Sequence, residues 1–339
     1  MEFNPFDDRW WLAGSSLNWI SAAIAARPAW MPCEGAVERL RGRRARAISA
    51  VRLLAGYRTL ETRQAHALDP SLPALPKAAF WLDMLGAGFC EPGFPIAVDG
   101  RQAASPLSAD WMAVRLPPHE DIMPRLAEAL DLTPPELATL APCRGPGSLD
   151  WRPNLRGQRQ YDRHNLICAD LAVARAAEGW RTLGEAWGRF DLICHDPLMG
   201  AGGPDLELIG ENETVCIELT ASMGQSLSAK FNRWARVLRH PGTERVHVVW
   251  LAAARTVEGI PERLAALSAE RPRQHWAIAE DWRDSPVCPD GFAPKPGTPP
   301  EPYDWMRADM DRVGEAVGLP SAGSWKRPRV LMGDSIPFY

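Results

Sequence analysis

The stretch from Gly203 to Lys230, GPDLELIGENETVCIELTASMGQSLSAK, constrains this chain most, because its polarity alternates with period two on both sides of a short polar break. A two-residue turn at Glu211 and Asn212 makes it a β-hairpin and sets Asp205 directly opposite Glu218. One face then reads Leu206, Leu208, Val215, Ile217 and Leu219, an aliphatic surface that belongs to a core. The other face carries Asp205, Glu207, Glu218 and Thr220. Opposed carboxylates on neighbouring strands repel unless positive charge lies between them, and a divalent cation is its simplest source. A slip of one residue would send the acids of one strand to the opposite face, so the site stands or falls with this register.

The chain of 339 residues is long enough for two domains with cores of their own, and 46% hydrophobic with 24% charged residues is ordinary globular composition. A formal charge of −4 excludes a uniformly basic nucleic-acid coat, so any such binding must come from local patches. Seven cysteines without paired CxxC spacing speak against a disulfide framework and a structural zinc site, and point to the cytoplasm. No run has the apolar length of a membrane span, and the N-terminus lacks a basic signal-peptide start. The fifteen tryptophans are spread through the chain, as core residues would be.

Residues 1–35 read as a tryptophan-rich arm with a helical segment near Ser16 to Ala26. Residues 36–56 read as one helix with an apolar stripe at Leu40, Ile48, Val51 and Leu54 and five arginines between 39 and 46. Helices through Glu61 to Leu68 and Lys77 to Gly86 follow, then a hairpin beginning near Gly88 and turning at Asp99-Gly100. That order is the order of a winged helix-turn-helix, and the domain is expected over 36–145, with extra helices at Asp121 to Leu130 and Thr133 to Leu140. Bound to DNA, it would use Arg41, Arg43, Arg44 and Arg46 for phosphates and Lys77 at the head of its third helix. That helix is otherwise mostly apolar, which equally suits packing against a second copy of the chain or another protein. Glycines and prolines at 143–154 mark the boundary.

The second domain, 155–283, reads as a helix Arg163 to Trp180, a strand Phe190 to His195, the hairpin, a helix Ser226 to Arg239, a strand Val246 to Leu251, a helix Pro261 to Ala269 and a strand His275 to Ala279. Seven prolines at 284–302 form an extended linker, and 303–339 hold a helix from Tyr303 to Val317 and a basic tail from Trp325 to Arg329. Gly200 to Gly203 precede a strand instead of a helix, so they form no phosphate cradle, and His195-Asp196 has no nucleophile beside it.

Pro204-Asp205 followed by Glu218, Leu219 and Thr220 resembles the PD-(D/E)XK nuclease pattern, with a threonine where the lysine stands. The element order α, three β, α, β is the core of that fold. The resemblance implies an α+β or α/β domain, a mixed sheet flanked by helices. It also implies that Lys230, one of only four lysines, supplies the missing charge from the following helix. With the preceding winged-helix order and Arg163-His164-Asn165-Leu166, the chain resembles the replication-relaxation family of plasmid and integrative-element proteins. What this implies is a Mg²⁺- or Mn²⁺-dependent DNA nuclease or nickase acting in plasmid replication or transfer. Asp205 and Glu218 would be catalytic metal ligands with Glu207 a further one, and Lys230 would stabilise transition-state charge. Arg233 and Arg236 make a phosphate-binding stripe beside it. The alternative is an accessory DNA-binding protein, or an interaction scaffold, with a decayed nuclease fold.

Overall fold

A computed structural model describes residues 4–7, 17–21, 31, 34–95, 107, 109–117, 122–132, 161–194, 196–200, 202–221, 227–253 and 259–297. It is a mixed α+β chain with two sheets, in two compact units divided between Leu166 and Ile167. The expected boundary at 143–154, the helix Thr133 to Leu140, the turn Asp99-Gly100 and the segment 303–339 lie outside the described residues. Among the described residues no helix is long and apolar enough to cross a membrane.

The first unit opens with β1 (Leu17–Trp19), a strand where a helix was expected from the alanine-rich arm. Its reason is tertiary: β1 pairs with β3 (Glu91–Pro95), and the Trp19 ring lies so close to Gly93 that a Cβ there would stand 2.9 Å from it. Residues 36–56 form two helices, α1 (Ala36–Arg41) and α2 (Arg44–Tyr57), broken at Gly42, a weak helix former. Then come β2 (Thr59–Glu61) and α3 (Thr62–Leu68), which opens with a capping box between Glu61 and Gln64. After α4 (Ala79–Gly86) and β3 come β4 (Ala113–Arg115) and α5 (Ile122–Leu130). The sheet is antiparallel in the order β1-β3-β4-β2. At its centre Arg115 is buried, 3.1 Å from Glu91 and 4.0 Å beneath the Trp19 ring.

Helix α6 (Asp162–Ala177) spans the division, and Gly179, at φ +97°, turns the chain directly into β5 (Arg181–Gly184). The expected strand Phe190 to His195 is instead a short helix, α7 (Phe190–Ile193); His195 itself is outside the described residues. Local bonds decide this: Ile193 N–H donates to the Arg189 carbonyl and Cys194 N–H to that of Phe190. The sheet is completed by β6 (Leu206–Ile209), β7 (Thr214–Thr220), β8 (Val246–Ala252) and β9 (Gln274–Ile278), interleaved with α8 (Leu227–Val237), α9 (Ile260–Ala269) and a final α10 (Ala279–Asp284). The strands lie in sequence order; β5, β6 and β7 are antiparallel neighbours, while β7, β8 and β9 run parallel.

Helices α8 and α9 cover one face of this sheet, where Phe231, Trp234, Trp250 and Leu264 share a core and Phe231 stacks on Trp250 at 3.8 Å. Trp81, Trp234, Trp250 and Trp282 are all fully buried, which is the packing use expected of the tryptophans. The proline-rich segment 285–297 has no helix or strand, yet it packs on its unit. Cys288 is buried, Phe292 stacks on His275, and the Lys295 N–H donates to Glu213.

Candidate functional site

The hairpin has the register its alternation predicts: Leu206 faces Ile217 and Ile209 faces Thr214, with Gly210 N–H closing the Glu211-Asn212 turn onto the Glu213 carbonyl. Asp205 stands one residue ahead of the last pair and Glu218 one residue past it, on neighbouring strands. Asp205 precedes β6 as its backbone N–H donates to the Ile217 carbonyl, while its Oδ2 accepts from the Leu219 N–H at 2.7 Å. Its approach is fixed by Gly203, where a Cβ would collide with the backbone of Gly188.

The acid face differs from expectation in its surroundings. It lies under α8, so Glu207, Glu218 and Thr220 are buried, as is Cys216 between the two glutamates on β7 and β6. Glu218, 3% exposed, accepts from Trp234 Nε1 at 2.7 Å on one oxygen and from Lys230 Nζ at 3.2 Å on the other. Burial, then the Asp205 charge, push the Glu218 carboxyl up to about 7 against the opposing pull of Lys230 and Trp234. Burial alone would lower Lys230, but Glu218, Asp205 and Glu185 outweigh it and hold the ammonium above its ordinary value.

Glu207 sits one pair deeper, opposite Cys216, and burial pushes its carboxyl up to about 8. Burial thus disfavours the carboxylate form that a hard cation binds. Thr220, in the lysine position of the pattern, ends β7 with its carbonyl accepting from Ala253 N–H.

Glu185 was missed by sequence reasoning. It follows β5 directly, in the turn that Trp187 N–H closes onto the Gly184 carbonyl just past the last pair, Gly184 with Leu206. Its charge acts on Lys230 and, together with Asp205 and Glu218, on the buried Cys168 thiol. Reading RTLG as the strand, in place of Phe190 to His195, would have put Glu185 beside the two acids. Trp234 was the other omission; a tryptophan inside an amphipathic helix signals core before it signals a hydrogen-bond donor.

Lys230, Arg233 and Arg236 are exposed on α8, and no described residue engages the two arginines. The arginines of the first unit are placed otherwise. Arg39 and Arg43 share the buried Asp83 of α4, at 2.7 and 3.6 Å. Arg41 donates to the Ala129 carbonyl and Arg44 to those of Leu130 and Asp131, capping the C-terminus of α5. Arg46 lies 5.8 Å from the Phe80 ring. Lys77 is exposed but precedes α4, whose Phe80, Trp81, Asp83, Met84 and Leu85 are all buried.

As a metal centre, Asp205 and Glu218 fit in kind, offering hard oxygens from adjacent strands. Among the described residues, however, no group of three or more His, Cys, Asp or Glu side chains is gathered to hold an ion. Compared with known proteins, the chain matches no family model, no curated protein and no solved structure.

Proposed function

We propose that the second unit binds DNA along α8 and is a divalent-metal-dependent phosphodiesterase of the PD-(D/E)XK kind. The observation that carries this reading is the placement of Asp205 and Glu218 on neighbouring strands at the end of the β6–β7 ladder, with Lys230 bonded to Glu218 from the following helix. The helix, three-strand meander, helix and parallel strand formed by α6, β5 to β7, α8 and β8 support it further. Asp205 and Glu218 would hold Mg²⁺ or Mn²⁺, which supplies the charge to polarise a phosphoryl oxygen and acidify a water. Lys230, half exposed beside the acids, is placed to meet negative charge developing on the phosphate. Arg233 and Arg236 extend the cationic surface.

In the first unit, the succession α2, β2, α3, α4, β3, β4 with sheet order β2-β4-β3 supports a winged-helix reading. Its arginines are bonded within the unit, which favours a packing or dimerising role for this domain over groove reading. With both parts in this order, we assign the chain a role in mobile-element DNA processing, as in plasmid replication or transfer.

A second reading, a non-catalytic DNA-binding accessory protein or interaction scaffold, is favoured by Thr220 and by the engagement of both Glu218 oxygens within the protein. Cleavage of supercoiled and linear DNA with Mg²⁺ or Mn²⁺ separates the two. The nuclease reading expects cleavage that disappears in the Asp205→Ala, Glu218→Ala double variant, and cleavage unchanged in that variant refutes it. Salt-dependent binding without cleavage, retained in the variant and indifferent to metal, establishes the accessory role.

A further inference from the structure

Between α7 and β6 the chain returns alongside α8. At one end, near the Arg233 guanidinium, the Gly202 carbonyl accepts from the Phe190 N–H at 2.6 Å and the Gly200 carbonyl from the Asp191 N–H at 3.1 Å. At the other end Asp196 Oδ2 lies 3.2 Å from His240 Nε2, just beyond the C-terminus of α8. Between these anchors, Pro197–Met199 makes a single 3₁₀ turn, and Asp196 Oδ1 accepts from the Leu198 N–H at 2.9 Å. Met199 points into the core under α8. Leu198 does the opposite and is 92% exposed, the most exposed large apolar side chain among the described residues.

A lone exposed leucine on a surface is ordinary. This one is held on a turn pinned at both ends, beside a helix whose segment from Leu227 to Arg239 contains no acid and exposes Lys230, Arg233, Arg236 and Arg239. An apolar tip set in a cationic surface is complementary to stacked bases flanked by phosphates, and its fixed backbone lowers the ordering entropy that insertion costs. A protein partner would more naturally be met by a broader apolar patch.

We propose that Leu198 is a wedge that enters a base step of duplex DNA lying along α8, with Arg233 and Arg236 holding the phosphates on either side. This rests on the DNA-binding reading above and adds to it a deformation of the duplex. Insertion of a side chain of this kind partly unstacks the step and kinks the helix by roughly 20–90°.

The test uses the full chain and a duplex of about 20 base pairs, long enough to report a kink of that size, labelled at its two ends with a fluorescent donor and acceptor. Anisotropy over a salt series gives binding, and energy transfer gives bending. Expected is salt-dependent binding with increased transfer in the wild type. The Leu198→Ala protein should bind within about threefold, since phosphate contacts dominate affinity, yet lose the increase in transfer. Leu198→Met should restore it. Binding by the wild type without a change in transfer, or an equal change in Leu198→Ala, overturns the wedge and leaves DNA binding standing. Absence of salt-dependent binding by the wild type overturns both.

Discussion

The indole of Trp234 donates to Glu218 Oε1 at 2.7 Å, so the acid on which the proposed chemistry turns is held by a core side chain. The same ring packs edge-on against Phe190 at 4.8 Å. Trp234→Phe keeps an aromatic ring in that place and removes the donor. The buried carboxylate then loses a charge-assisted bond, at a cost of about 1–3 kcal/mol in stability. The loss applies to the ionised form, so it should be clear at pH 8 and small at pH 5. Urea denaturation of wild type and variant at both values measures it.

The proton on Glu218 also sets when the site can take a cation. With its carboxyl held at about 7 by burial and the Asp205 charge, the metal-binding form is the minor one in mild acid. Affinity for Mg²⁺ or Mn²⁺ should therefore rise with pH up to neutrality, approaching tenfold per unit well below 7, with proton release on binding. Calorimetry at pH 6 and 8, in two buffers of different ionisation enthalpy, reads both. Binding should vanish in Glu218→Gln, and no binding in the wild type with DNA present would favour the accessory role.

Glu207 carries a stability signature independent of DNA. Burial raises its carboxyl from the 4.5 of an ordinary glutamate to about 8 in the folded protein. A group whose folded value is raised contributes stability that is complete below the unfolded value and is lost as pH climbs through the folded one. The protein should lose stability between pH 5 and pH 9, with Glu218 adding in the same direction. Glu207→Gln keeps the shape and removes one titration, so its profile should be flatter. At pH 9 it should be the more stable protein by on the order of 1–3 kcal/mol, measured by denaturant melts across the pH range.

The hairpin was legible because two independent signals agreed, period-two alternation and a turn of definite length, and together they set Leu206 opposite Ile217 and Ile209 opposite Thr214. Strand β8 was legible to within a residue because VVWLA is a continuous apolar run with a helix on either side. Strand β5 was not, since TLG is too short to show a period and the longer apolar run at Phe190 drew the assignment away. The burial of the acid face was hidden for a different reason. Alternation shows that two faces differ but not that α8 closes over the polar one, which follows only from Phe231, Trp234 and Val237 packing there. The partners of Arg41 and Arg44, the carbonyls of residues 129–131, are remote in sequence, and no local pattern announces such a contact.

That last point separates the two sets of arginines by experiment. Arg44 holds the terminal carbonyls of α5, acceptors that would otherwise face the C-terminal end of a helix dipole without a cation. Arg44→Ala should destabilise the first unit by about 1–2 kcal/mol, and Arg41→Ala, at a more exposed site, by less. Neither should much change the salt dependence of DNA binding, because a guanidinium already bonded to carbonyls displaces few counterions from phosphate. Among the described residues Arg233 and Arg236 have no such bonds to lose, so their replacement by alanine should leave the melting temperature within error. It should instead weaken binding across all sequences and reduce the slope of log K against log salt by about one per arginine. A thermal melt and a salt titration on the same four proteins decide the matter: a reduced slope in the first pair with an unchanged slope in the second would move the DNA surface from α8 to the α1–α2 arginines.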